Sequence, residues 1–202
     1  MPDHRERFQQ WRSGVGEPTR YLIDVVLERI VPEFQARRFA WYDDYAGCDP
    51  NEIAAYTIPL QRRDGEEWPT AELEFDRRGK PTFGITFGSL PPICRRLGEP
   101  TPRTRSSVVY APAYFLLCKG QHRNFDCRFG YRWFGVMPHR RLDAEVATAL
   151  NLLPELFDLL ARGIPKEWLH HEFGYVSEHV LLLGSWHLTE RRLGRRADDR
   201  RS

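Results

Sequence analysis

The sequence predicts an α+β domain: an antiparallel β meander of about five to six strands, with an N-terminal helix before it and C-terminal helices packed on one face. Three observations lead there. Leu22, Val25, Val26 and Ile30 recur at helical spacing near the start. Between residues 40 and 136 the apolar period falls to two and aromatic and β-branched residues rise. A helical stripe then returns at Leu142, Val146, Ala149, Leu150, Leu153, Leu156, Phe157 and Leu160. Helices gathered at the two ends of a run of strands, instead of alternating with them, are the pattern of helices layered on an antiparallel sheet.

Residues 1–17 are polar and charged and close on SGVGEP, so they are expected to form a poorly ordered arm. Thr19 is placed to cap the first helix, whose solvent side carries Asp24, Glu28 and Arg29. Pro32 has no amide hydrogen and stops or kinks that helix near Val31. IAAYTIPLQ (53–61) reads as a strand with Pro59 at an edge or bulge. In TAELEFD (70–76), Ala71, Leu73 and Phe75 face one way and Glu72, Glu74 and Asp76 the other. The turn RRGKP leads into TFGITFG (82–88), where Phe83, Ile85 and Phe87 share a face. Two one-sided strands joined by a glycine turn pair antiparallel over a core.

GSLPPICRRLGEPTPRTRSS (88–107) is rich in proline, glycine and serine and is expected to be a long flexible loop. SVVYAPAYFLLC and FDCRFGYRWFGV follow. Pairing Cys118 with Cys127 sets Leu116 opposite Phe129 and Tyr114 opposite Tyr131, with QHRN (121–124) as the connecting loop. In the last helical region Asp143 is a candidate cap, Pro154 a bend, and Gly163 with Pro165 the end. EWLHHEFGYVSEHVLLLGSWH is expected to form one or two short helices. Residues 18–190 thus read as a single domain, and 191–202 as a basic, disordered tail.

The composition is that of a soluble globular protein: hydrophobic residues are 41% and charged residues 29%. Lysine supplies only three of 30 basic residues, a bias pointing to a GC-rich bacterial coding sequence. The net charge of +2 gives no global field to attract nucleic acid or an anionic membrane. No run of about 18 apolar residues is present, and MPDHRERFQQWR has no secretory h-region, so a cytoplasmic location is expected. Four cysteines in such a chain are too sparse for a disulfide scaffold.

The most suggestive chemical spacing is CKGQHRNFDC (118–127). Cys118, His122 and Cys127 are three donors where a closed zinc site needs four, so a hairpin explains the spacing with fewer assumptions. In WLHHEFGYVSEH the adjacent His170 and His171 point about 100° apart on a helix and cannot converge as an HExxH pair does. Glu72, Glu74 and Asp76, with Glu66 and Glu67 nearby, could line a divalent cation, but no lysine follows in the position a nuclease site would need. Arg95, Arg96, Arg103, Arg105, Arg128 and Arg132 could touch phosphates beside Tyr131 and Trp133. On that last strand, however, the arginines and aromatics alternate between faces. Nucleophile and phosphate-loop motifs (GxSxG, the P-loop, GxGxxG) do not occur.

YLIDVVLERIVPEFQARRFAWYDD, IPLQRRDG and ELEFDRRGKPTFGITFG are similar in pattern to a family of small bacterial proteins in which a long helix precedes an antiparallel sheet and the C-terminus is helical. Some families of this shape resemble immunity proteins that neutralise a toxin by direct contact. The resemblance implies a protein that acts by direct contact with a protein partner, and the absence of a nucleophile motif adds the expectation of a non-catalytic protein without a cofactor. The expected contact residues are Glu66, Glu67, Glu72, Glu74 and Asp76, with Trp68 as the aromatic anchor. The competing expectations are a metal-dependent hydrolase or nuclease using Cys118, His122 and Cys127, and a nucleic-acid binder, which the near-neutral charge disfavours.

Overall fold

Asp3 and Glu6 start the first helix by capping each other. The Asp3 carboxylate accepts the Glu6 amide at 2.7 Å, and the Glu6 carboxylate accepts the Asp3 amide at 3.1 Å. Helix α1 (His4–Gly14) then buries His4 and Phe8. The computed structural model describes residues 3–41, 53–96, 99–102, 114–117, 128–130, 139–162 and 181–183. Residues 3–14 are therefore no loose arm. Their composition is polar, but one turn-spaced pair, Phe8 and Trp11, docks the helix on Phe75, with ring centroids 6.1 and 6.0 Å from it.

Helix α2 (Glu17–Arg29) starts two residues before Thr19, with Gly16 at its N-cap and a proline in its first turn. Thr19 is therefore not the cap. Its buried hydroxyl donates to the Gly79 carbonyl at 2.6 Å and ties the helix to a sheet turn. Pro32 does mark a break. The chain leaves α2 at Ile30 and resumes as the short α3 (Val31–Gln35), with proline in the first turn, where its missing N–H costs nothing. Arg38, at φ 68°, turns the chain into the first strand.

The strands are β1 (Ala40–Trp41), β2 (Thr57–Gln61), β3 (Trp68–Phe75), β4 (Thr82–Leu90), β5 (Ile93–Arg96), β6 (Glu99–Pro102), β7 (Tyr114–Leu117), β8 (Phe129–Gly130) and β9 (Leu181–Leu183). The main sheet runs β1-β2-β3-β4-β7-β9, with β8 also on β4. The first four strands form the expected antiparallel meander, with Leu73 opposite Ile85 and Phe75 opposite Phe83. The proline-rich segment after β4 is more ordered than expected, since β5 and β6 pair as a separate two-stranded sheet.

The expected aromatic hairpin is replaced by another pairing. Leu116 lies opposite Thr86 and Phe129 opposite Phe83, both on β4. Because β3 occupies the other edge of β4, β7 and β8 lie end to end along one edge, and Leu116 does not face Phe129. Alternation marks both segments as strands but carries no information about which neighbour they choose. β4 is nine residues long, enough to take both. The further neighbour of β7 is β9, in parallel register, so the LLL of 181–183 is strand where helix was expected.

Helix α4 (His139–Arg162) begins four residues before Asp143, which is therefore not its cap, and continues through Pro154 with that ring on the exposed side. Its buried residues, Leu142, Val146, Ala149, Leu153, Leu156, Phe157 and Leu160, match the predicted stripe. They join Leu22, Val26, Phe34 and the sheet residues Leu60, Leu73, Phe75, Phe83, Ile85 and Phe87 in one apolar core. Transfer of an aromatic or branched side chain into such a core stabilises by about 1.5–3 kcal/mol.

Candidate binding surfaces

The sheet face opposite the core carries Glu72 and Glu74, and each expected acidic residue has its own local situation. Glu74 is bridged to Arg128, 2.7 Å from its Oε1, while a second guanidinium nitrogen donates to the Glu74 carbonyl at 3.0 Å. Register explains the reach. Glu74 lies opposite Gly84 on β4, and Arg128 precedes Phe129 on the far side of the same strand, so the arginine crosses a position without a side chain. Both partners are about two-fifths exposed, which holds the pair to about 0.2–1 kcal/mol.

Asp76 is a turn residue. Its Oδ1 accepts the amides of Arg78 at 2.8 Å and Lys80 at 3.4 Å, closing the β3–β4 turn around Gly79 at φ 73°. Glu72 is half-buried within β3, four residues before Asp76. The three carboxylates therefore do not act as one row.

At the opposite end of β3 the loop from β2 exposes Glu66 and Glu67 immediately before the half-buried Trp68. The Arg63 guanidinium lies 4.7 Å from the Trp68 ring centre, and its Nε donates to Gln61 at 2.6 Å. Gln61 donates in turn to the buried Thr70 at 3.1 Å. Arg62 is held by Asp64 at 2.7 Å, and Arg38 lies 3.6 Å from the same carboxylate. The Arg63 that faces the tryptophan is thus held by a hydrogen-bonded chain reaching across two strands, with two carboxylates exposed beside the ring.

A second constellation has no counterpart among the sequence expectations. His139 stacks on Tyr21, with ring centroids 3.7 Å apart and planes 8° from parallel. The His139 Nε2 lies 2.8 Å from a Glu17 carboxylate oxygen. The Tyr21 hydroxyl donates to Asp143 at 2.9 Å, and that bond, with desolvation and the Asp143 charge, raises the phenol above its ordinary pKa. The residues lie 122 positions apart in the pairs Tyr21–Asp143 and Glu17–His139, so no local spacing announces them.

Cys118, His122, Cys127, His170 and His171 lie outside the described residues, as do the 191–202 tail and most of the segment from 163. Among the described residues no group of three or more His, Cys, Asp or Glu side chains could hold a metal ion. None of the described helices is long and apolar enough to cross a membrane. Comparison with protein-family models, with curated proteins and with solved structures finds no match to this chain.

Proposed function

We propose that this chain is a non-catalytic binding protein that engages a basic protein partner through the end of the sheet formed by Glu66, Glu67 and Trp68, in the manner of immunity proteins. The observation that carries this reading is the anchored tryptophan: a large amphipathic ring lying against Arg63, itself bonded to Gln61 and through it to Thr70, beside two exposed carboxylates. An aromatic anchor already fixed in place loses little entropy on docking, and neighbouring charges steer and orient a partner of opposite sign. Glu74 and Asp76 serve the sheet and its turn, so the contact is confined to the other end of β3.

Chemical cross-linking in native lysate followed by mass spectrometry tests this directly. The expected result is one dominant partner with a basic surface, cross-linked to residues 62–68, and lost from the Glu66→Lys/Glu67→Lys variant. Trp68→Ala is expected to weaken capture by at least about tenfold, as for a central aromatic anchor. A partner retained undiminished by both variants contradicts the proposal.

A further inference from the structure

The end of the molecule opposite Trp68 gathers the β3–β4 turn and the N-termini of α2 and α4. Thr19 bonds the Gly79 carbonyl, a Cβ on Gly79 would come 3.2 Å from Val15, and the His139–Glu17 and Tyr21–Asp143 bonds join the two helices. This end exposes Arg20, Arg77, Arg78, Lys80, Arg140 and Arg141. Among the described residues none of these six cations forms an ion pair.

Four carboxylates of the same region are engaged within the fold, and a fifth, Glu28 further along α2, acts on Tyr21 together with the opposite charge of its neighbour Arg29. Glu17 holds His139, Asp143 accepts Tyr21, Asp76 closes its turn, and Glu145 accepts the Gly130 amide at 3.1 Å. Six cations thus stand against four engaged carboxylates, and two helix N-termini add partial positive charge at the same place. The net charge of +2 conceals this arrangement because it averages over the chain.

The His139 ring adds a feature that a simple charge patch lacks. One of its faces lies on Tyr21, Glu17 holds its Nε2, and its side chain is 47% exposed, with Arg20 preceding Tyr21 on α2 and Arg140 and Arg141 following His139 on α4. An oriented ring beside unpaired arginines is suited to stacking a base while the cations follow the phosphates. We propose that this end of the molecule binds single-stranded nucleic acid, without base readout, with His139 on Tyr21 as a stacking platform and the six cations as phosphate contacts.

Fluorescence anisotropy with a labelled single-stranded oligonucleotide of mixed sequence tests the assignment on the full chain. If all six cations contact phosphate, affinity falls about 300-fold between 50 and 200 mM salt. Arg77→Ala/Arg78→Ala/Lys80→Ala lowers the slope of log affinity against log salt by about two. His139→Ala weakens binding about fivefold or more with its slope unchanged, and His139→Phe, which keeps a ring, restores it. Circular dichroism of each variant confirms that these surface changes leave the fold intact. No binding at 50 mM salt, or a triple variant that binds like the parent, overturns the proposal. Polyglutamate competing as well as the oligonucleotide, with His139→Ala without effect, overturns it in favour of an acidic protein surface.

Discussion

Tyr21 shows how one residue can matter in a way its sequence neighbourhood does not announce. Its hydroxyl is bonded to Asp143, and the bond favours the neutral phenol, so its pKa lies above the ordinary 10.0. A raised folded-state value means that the interaction contributes fully below about pH 10 and is lost as pH rises through the folded value. Tyrosine-labelled NMR titration is expected to find Tyr21 titrating above the ordinary range, and Asp143→Asn to return it towards that range. Gly130 makes a different demand. At φ 101° its Cα faces the preceding β4 entry so closely that an added Cβ would overlap the Pro81 carbonyl oxygen and come within 2.9 Å of the Thr82 Cα. Gly130→Ala is expected to destabilise by at least about 3 kcal/mol in chemical denaturation, through a forbidden φ and a backbone clash together. His4 is legible only in three dimensions: Trp41 donates to its Nδ1 at 3.3 Å, so Nε2 carries the proton that meets the Ala54 carbonyl at 3.2 Å.

Among the elements, α1 carries the strongest test because its composition argues against it. If the capping box and the Phe8 contact nucleate and dock it, Asp3→Ala costs about 1 kcal/mol. Phe8→Ala costs about 3–5 kcal/mol, since a fully buried ring facing Trp11, Trp41 and Phe75 is lost. Equilibrium urea unfolding measures both, and two near-zero values would show that α1 adds nothing to the core. The elements legible in the sequence were those whose burial has a period. The α4 stripe and the alternation of Ala71, Leu73 and Phe75 against Phe83, Ile85 and Phe87 specify which side is buried, and all six of those strand residues are fully buried. Partner choice has no such signature. YFLL and RFG are recognisably extended, yet their alignment along one edge of β4 depends on the length of β4 and on the chain's route between them. Thr19 and Asp143 are good cap residues by type, but tertiary partners 60 and 122 positions away claim their side chains.

For the molecule as a whole, β3 separates two surfaces. Trp68 begins the eight-residue strand and Phe75 ends it, about 24 Å away. The Trp68 end was visible in the sequence as an acidic and aromatic cluster, although Glu74 and Asp76 proved to be structural. The opposite end was not visible, because its cations come from the turn after β3, the first turn of α2 and the first turn of α4, and only folding brings them together. Fluorine NMR of protein labelled with 5-fluorotryptophan, titrated with the partner captured by cross-linking, tests the proposed contact most directly. Trp68 is expected to shift on binding while Trp11 and Trp41, packed on Phe8, stay in place. A bound complex in which the Trp68 resonance does not move would contradict the assignment of that end of the sheet as the binding surface.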